Sequence, residues 1–328
     1  MTYAIQADGL VKRFGDTQAL AGVSFAADAG TVLGVLGPNG AGKTTTTRIL
    51  ATLLEPSGGT ARVGGFDVVR EAHRVRQLIG LTGQYAALDE MLTGTENLLM
   101  IGRLLGLSRR AARARAAELL DRFALVEAAG RAVKTYSGGM RRRLDLAAGM
   151  VGRPRFLFLD EPTTGLDPRS RTALWDIVRG LTGEGVTVLL TTQYLEEADR
   201  LADDIVVIDR GRVIAHGSPA ALKAQVGGQV LELRPLFEAD GVTAARVAGE
   251  LAGTAPEVRD GLVSVPVSDP ALLPALVRRL DEAGVTLGEL SMRKSSLDEV
   301  FFALTGHHTA DTEAEHPAEA RREEGARL

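Results

Sequence analysis

The apolar residues of this chain fall into short runs that end in glycines, threonines or acids. Val32–Leu36, Leu78–Thr82, Phe156–Asp160 and Val186–Thr191 are runs of this kind, and apolar runs of that length predict strands buried on both faces of a parallel sheet. Stretches with helical spacing alternate with them: Thr45–Leu54, one within Glu71–Gln77, Arg141–Val151, Arg169–Leu181 and Leu195–Leu201. Alternation of this sort predicts an α/β architecture. Ile5–Val11 and Ala19–Ala27 read as strands broken by the turn Phe14-Gly15-Asp16, and a short strand is expected near Ala61–Val63. From Leu88 to about Gly130 the pattern is mostly helical, with Ser108 as a helix cap. Ile205–Asp209 and Arg212–His216 predict a hairpin around Arg210-Gly211.

After Gly227-Gly228 the pattern changes. Strand-like Val230–Arg234, helical Val242–Leu251, a short strand near Val258, alternating Leu262–Val267, a helix in Ala271–Glu282 and a strand in Val285–Leu290 give the order β-α-β-β-α-β. That order predicts a small α+β, ferredoxin-like module, with Asp260-Gly261 as a hairpin turn. Ser296 and Glu299 form a capping box for a last helix carrying Phe301, Phe302 and Leu304. The expected organisation is a domain over residues 3–228 with a helical subdomain at about 86–150, a second domain at 229–306, and a disordered charged tail at 307–328.

Composition narrows the function classes. Hydrophobic content of 45% and charged content of 24% are ordinary globular usage, and a net charge of −4 gives no general pull toward nucleic acid or anionic lipid. The absence of cysteine excludes disulfides and cysteine-ligated zinc, and fits a reducing compartment. Met1–Gly9 lacks the long apolar stretch of a secretory signal, and no run approaches the roughly 20 apolar residues of a membrane span. A membrane role is therefore expected to come through a partner. The arginines of 109–115 read as a solvated face offset by Glu118 and Asp121.

The chemistry centres on Gly37-Pro38-Asn39-Gly40-Ala41-Gly42-Lys43-Thr44-Thr45, between an expected strand and an expected helix. Glycines let backbone N–H groups wrap a polyphosphate, and the helix adds its positive N-terminal end. In such a loop Lys43 reaches the β- and γ-phosphates, and Thr44 offers a hydroxyl to Mg²⁺. Beside a phosphate loop, the acidic strand end Asp160-Glu161 reads as a Mg²⁺-holding carboxylate followed by a base that polarises water. Phe14 is placed either to stack on an adenine ring or to pack in a turn, and Trp175 reads as packing. Tyr136-Ser137-Gly138-Gly139-Met140 opens a helix, which alone is only a good cap and an anion site in waiting.

Taken in order, the phosphate loop, Gln84, Ser137-Gly138-Gly139, Asp160-Glu161 and Gly165-Leu166-Asp167 resemble the ATP-binding cassette ATPases over about residues 3–228. The resemblance implies a P-loop NTPase cassette with a helical subdomain, ATP and Mg²⁺ as cofactors, and an ATP-bound head-to-tail homodimer. ATP on Gly37–Thr45 of one subunit is then covered by Ser137, Gly138 and Gly139 of the other, with Asp167 at the seam. It implies catalytic roles for Glu161, Gln84 and Gln193, and adds Gln84 to the metal ligands Thr44 and Asp160. Tyr136 and Met140 replace the usual leucine and glutamine, and Gln193 stands where the family usually has a histidine. A glutamine amide donates a hydrogen bond but carries no proton or charge.

Thr191–Asp199 and Leu297–Gly306 resemble the daunorubicin/doxorubicin-resistance type of ATP-binding subunit. That resemblance implies a peripheral protein on the cytoplasmic face of a bacterial membrane, energising drug or antibiotic efflux through a separate membrane-spanning permease, with no nucleic-acid partner. The alternatives are a non-transport cassette ATPase acting on ribosomes or DNA, or an export ATPase for lipid, polysaccharide or sodium.

Overall fold

The computed structural model of the protein describes residues 3–83, 88–225, 229–267, 269 and 271–305. Contacts divide the chain after Ser218 into two compact units. In the first, β1 (Ile5–Phe14) and β2 (Thr17–Ala27) form an antiparallel pair, and β3 (Val32–Leu36) leads through the glycine-rich loop into α1 (Lys43–Leu50). Then come β4 (Gly58–Val63), β5 (Phe66–Asp67), α2 (Ala72–Leu78) and β6 (Ile79–Thr82). The helices α3 (Gly94–Leu104), α4 (Arg109–Arg122) and α5 (Gly138–Gly149) precede β7 (Phe156–Asp160) and α6 (Pro168–Gly183). The unit closes with β8 (Thr187–Thr192), α7 (Leu195–Leu201), β9 (Asp204–Asp209) and β10 (Arg212–Gly217).

The strand order β10-β9-β3-β8-β7-β6 makes the main sheet, parallel from β9 to β6, while β10 runs antiparallel to β9. Every residue of β3, β7 and β8 is buried, with the polar ones (Asp160, Thr187, Thr191 and Thr192) confined to strand ends. The register fixes the chemistry: Val35 pairs with Thr191, Thr191 with Asp160, and Leu159 with Thr82. The loops leaving β3, β8, β7 and β6 therefore lie side by side at the carboxyl end of the sheet, where ligands bind in open α/β folds. A second sheet, β2-β1-β4-β5, is antiparallel.

Local signals set the helix starts. Thr93 and Glu96 form a reciprocal capping box for α3, and the Ser108 hydroxyl accepts from the Ala111 N–H to cap α4. Helix α1 begins earlier than its apolar spacing predicts, because Gly42 sits at φ 109° and its carbonyl already accepts from Thr46 N–H at 2.9 Å. It also stops earlier: Thr52 takes the left-handed conformation at φ 62°.

The second unit opens with α8 (Pro219–Gln225), which the sequence pattern did not reveal, so the division falls before the Gly227-Gly228 change of pattern. Then follow β11 (Gln229–Pro235), α9 (Gly241–Ala252), β12 (Glu257–Arg259), β13 (Leu262–Val267), α10 (Leu272–Glu282), β14 (Leu287–Lys294) and α11 (Leu297–Thr305). The order from β11 to β14 is the β-α-β-β-α-β expected, and these strands form one antiparallel sheet, β12-β13-β11-β14. Asp260 and Gly261 make the predicted turn, both at positive φ. The segment 307–328 lies outside the described residues.

Candidate functional site

The loop between β3 and α1 is shaped by contacts that exclude side chains. A Cβ on Gly37 would collide with the Ile208 carbonyl, and one on Gly42 would meet the Leu20 side chain. Gly40 is open but held at φ 78°, a conformation that favours glycine. Pro38 accepts from the Ala41 N–H, and Asn39, between them, lies on the loop's outer turn. Lys43 is the first residue of α1 and only 4% exposed. Its Nζ donates to the carbonyls of Gly37 at 2.8 Å and Pro38 at 3.1 Å, and lies 3.5 Å from Glu161 Oε1. Burial pulls the Lys43 ammonium below its ordinary pKa, against the opposing pull of the Glu161 and Asp160 carboxylates.

Asp160 and Glu161 reach this loop from the neighbouring strand end but one. Asp160 Oδ1 accepts from Thr44 Oγ1 at 3.2 Å and from the Thr191 hydroxyl. A hydroxyl and a carboxylate oxygen already converge there, and hard oxygen donors of this kind suit Mg²⁺. Glu161 is the more unusual residue. It is a non-glycine at φ 48°, a strained setting worth about 1–3 kcal/mol that clusters at functional sites. Its N–H donates to the Thr191 carbonyl at 3.0 Å, and its Oε2 accepts from Thr164 Oγ1 at 3.4 Å. The strained turn aims the carboxylate back at Lys43.

Gln193 follows Thr192 at the end of β8, half-buried between the loops of β3 and β7. Gln84 lies outside the described residues; Gly83, the residue before it, is described. Phe14 is 49% exposed at the end of β1, so it is no core side chain, and Lys12 Nζ lies 5.2 Å from its ring. Thr45 is half-buried in α1.

Ser137 caps α5 by accepting from the Met140 N–H, and both Ser137 and Gly138 are exposed. Gly139 is buried against α6, where a Cβ would collide with the Ser170 hydroxyl. That hydroxyl donates to Asp167 Oδ2 at 2.6 Å, and Asp167 caps α6. The Ser170 hydrogen bonds hold the Asp167 carboxyl below its usual range. The Ser-Gly-Gly turn and Asp167 are thus one continuous surface, presenting a helix N-terminus to solvent. Tyr136, in place of leucine, is buried and donates its hydroxyl to the Ala128 carbonyl at 2.7 Å.

Two ionisable residues near the site, Glu197 and Arg142, are not marked by any motif. Glu197 of α7 is fully buried and accepts from Trp175 Nε1 at 3.0 Å, which accounts for the sole tryptophan. Burial raises its pKa, against hydrogen bonds from Thr192, Trp175 and Thr163. Arg142 of α5 donates to the carbonyls of Pro162, Gly83 and Asp160, and pairs with Asp145. The signal was present: Arg142 and Asp145 are a complementary i,i+3 pair on the helical face that carries Gly138, Gly139 and Leu146.

The chain is similar to known proteins over most of its length. The family profile described as ABC transporter matches residues 20–164. The chain is 54% identical over 321 residues to the daunorubicin/doxorubicin resistance ATP-binding protein DrrA of Streptomyces peucetius, covering 97% of each chain. It is 41% identical to the Nod factor export ATP-binding protein I of Burkholderia lata, covering 92% of this chain and 96% of that one. A solved structure of an ATP-binding subunit of an ABC transporter superposes with a TM-score of 0.62 and 28% identity, over 69% of this chain and 94% of its own.

Proposed function

The chain belongs to the ABC transporter family as an ATP-binding subunit, and from that premise we propose that it hydrolyses Mg²⁺-ATP in a homodimer that powers drug export through a separate permease. The observation carrying the catalytic part is the meeting of Lys43, Thr44, Asp160 and Glu161 at the ends of β3 and β7, which flank β8. In this reading Lys43 binds the β- and γ-phosphates, Thr44 and Asp160 hold Mg²⁺, and the Glu161 carboxylate takes a proton from the attacking water. Bound Mg²⁺ supplies charge neutralisation at the phosphates. Phosphates in the loop compete with Glu161 for Lys43, so nucleotide binding itself releases the carboxylate for its role as base. Gln84 and Gln193 complete the set as groups that orient water or phosphate.

The homodimer reading rests on the exposed N-terminus of α5 beside Asp167, an anion site facing outward. The structure also decides which glycine tests it. A side chain at Gly139 would clash with Ser170 inside its own subunit, whereas a Cβ on Gly138 meets only Leu166 at 4.0 Å. Gly138→Asp in a Glu161→Gln background should bind ATP as a monomer yet fail to dimerise with it. ATP-induced dimer of unchanged yield by light scattering would defeat the composite site.

The cargo assignment rests on similarity to the drug-resistance protein over nearly the whole of both chains. Among the described residues no helix is long and apolar enough to cross a membrane, so attachment to the cytoplasmic face is assigned to the permease. Co-expressed with a separate membrane permease, the subunit should sediment with membranes and lower daunorubicin accumulation in an ATP-dependent way. Recovery in the membrane fraction without any permease would overturn the attachment reading. The Nod factor relative favours a second cargo class; unchanged daunorubicin accumulation by an assembled, ATP-hydrolysing complex would select it.

A further inference from the structure

We infer that Arg142 is a positioning residue for hydrolysis, holding the strained turn that aims the Glu161 carboxylate; this rests on the reading of Glu161 as the base. One planar guanidinium reaches carbonyls on both sides of that residue. Nε donates to the Pro162 carbonyl at 2.7 Å, and Nη2 donates to the Asp160 carbonyl at 3.3 Å. Nη1 donates to the Gly83 carbonyl at 2.8 Å, where the chain leaves β6 toward Gln84. Asp145, one turn further along α5, lies 3.2 Å from the same Nη1.

The clamp acts where the backbone needs one. Glu161 sits at φ 48°, and its own N–H is tied to the Thr191 carbonyl on β8. A residue in that conformation persists only when its surroundings over-determine it. Thr191 fixes one edge of the turn, and Arg142 fixes the carbonyls that bracket it. With Arg142 removed, both carbonyls lose the charged donor that ties the turn to α5. Lysine, a point charge, can satisfy one of these carbonyls but cannot span them as the fork does.

Arg142 is also the link between catalytic parts that are distant in sequence. It belongs to the helix that Ser137 opens, and it grips the turn carrying Glu161 and the segment entering Gln84. The Glu161 carboxylate is thus placed relative to α5, the element that the dimer reading puts against the partner's nucleotide.

The test is steady-state phosphate release and ATP titration for Arg142→Met, Arg142→Lys, Glu161→Gln and the double variant Arg142→Met/Glu161→Gln. Misaiming the base predicts that Arg142→Met loses about 10–10²-fold in kcat, with the KM and Kd for ATP within about 2-fold of wild type. Arg142→Lys should recover part of the loss. In the Glu161→Gln background the same substitution should change the residual rate less than about 2-fold, because the group it positions is gone. A rise in KM at unchanged kcat, or equal fractional losses in both backgrounds, would overturn the inference. If Arg142→Met fails to fold, Arg142→Lys carries the same test, its loss expected in kcat alone and only with Glu161 present. Wild-type turnover by Glu161→Gln would instead overturn the base assignment, a result separable from any Arg142 outcome.

Discussion

Glu161→Gln is expected to lower steady-state phosphate release at saturating ATP and Mg²⁺ by about 10²–10⁴-fold, the range for loss of a general base, while ATP binding survives. The carboxylate is 11% exposed, follows Asp160, and is carried on a turn held at positive φ. Glutamine keeps its shape and can still bond Thr164, but cannot accept the proton of the attacking water. It also removes a negative charge 3.5 Å from Lys43, where the γ-phosphate is expected. The variant should therefore stall as an ATP-bound dimer. Gln193→Ala should cost less, because a neutral amide orients but does not transfer a proton. Gln193→His should preserve or raise the rate, restoring the residue usual in the family. If Glu161→Gln turns over like wild type while Gln193→Ala is inactive, these roles are exchanged.

The main sheet was legible because its central strands are buried on both faces and so carry no polar interruption. Val32–Leu36 and Phe156–Asp160 have in the structure the bounds that their apolar runs predict. The phosphate loop, Glu161 and Gln193 were legible because each follows such a run, where a loop at the carboxyl end of a parallel strand begins; Ser137–Gly139 and Asp167 start helices and were legible only by order and spacing. What stayed hidden depends on contacts distant in sequence. Arg142 lies in an arginine run after Ser-Gly-Gly that assigns it no partner, yet it donates to carbonyls on β7's exit and after β6. The resemblance implies a phosphate contact for Gly139, but only the structure shows that Ser170 of α6 occupies the space a side chain there would need. Helix α8 is short, and Ser218-Pro219 at its start is a helix-start signal that the apolar pattern passes over; its membership of the second unit depends on packing with α11. Early termination of α1 likewise comes from Thr52 adopting a positive φ that β-branched residues disfavour.

Lys43→Ala should abolish hydrolysis by a different route, through nucleotide affinity. In the structure its ammonium is buried and caged by the Gly37 and Pro38 carbonyls with Glu161 alongside. Burial lowers its pKa even against the Glu161 and Asp160 carboxylates, and a triphosphate would add counter-charge to that desolvated site. Charged hydrogen bonds contribute about 1.5–3 kcal/mol each. Losing one to the β- and one to the γ-phosphate thus predicts at least about 10²-fold weaker binding, at 1.4 kcal/mol per tenfold. Alanine also leaves the Glu161 carboxylate without its cation beside the phosphates, so the loss should exceed the bond count. Lys43→Met retains the apolar stem and separates packing from charge; it should bind ATP as poorly as Lys43→Ala. Calorimetric titration gives the affinity, and the ATP-induced rise in Tm gives an independent measure, since protection scales as RT ln(1 + [ATP]/Kd). Protection should vanish in both Lys43 variants and persist in Glu161→Gln. ATP affinity equal to wild type in Lys43→Ala would show that the phosphates bind elsewhere.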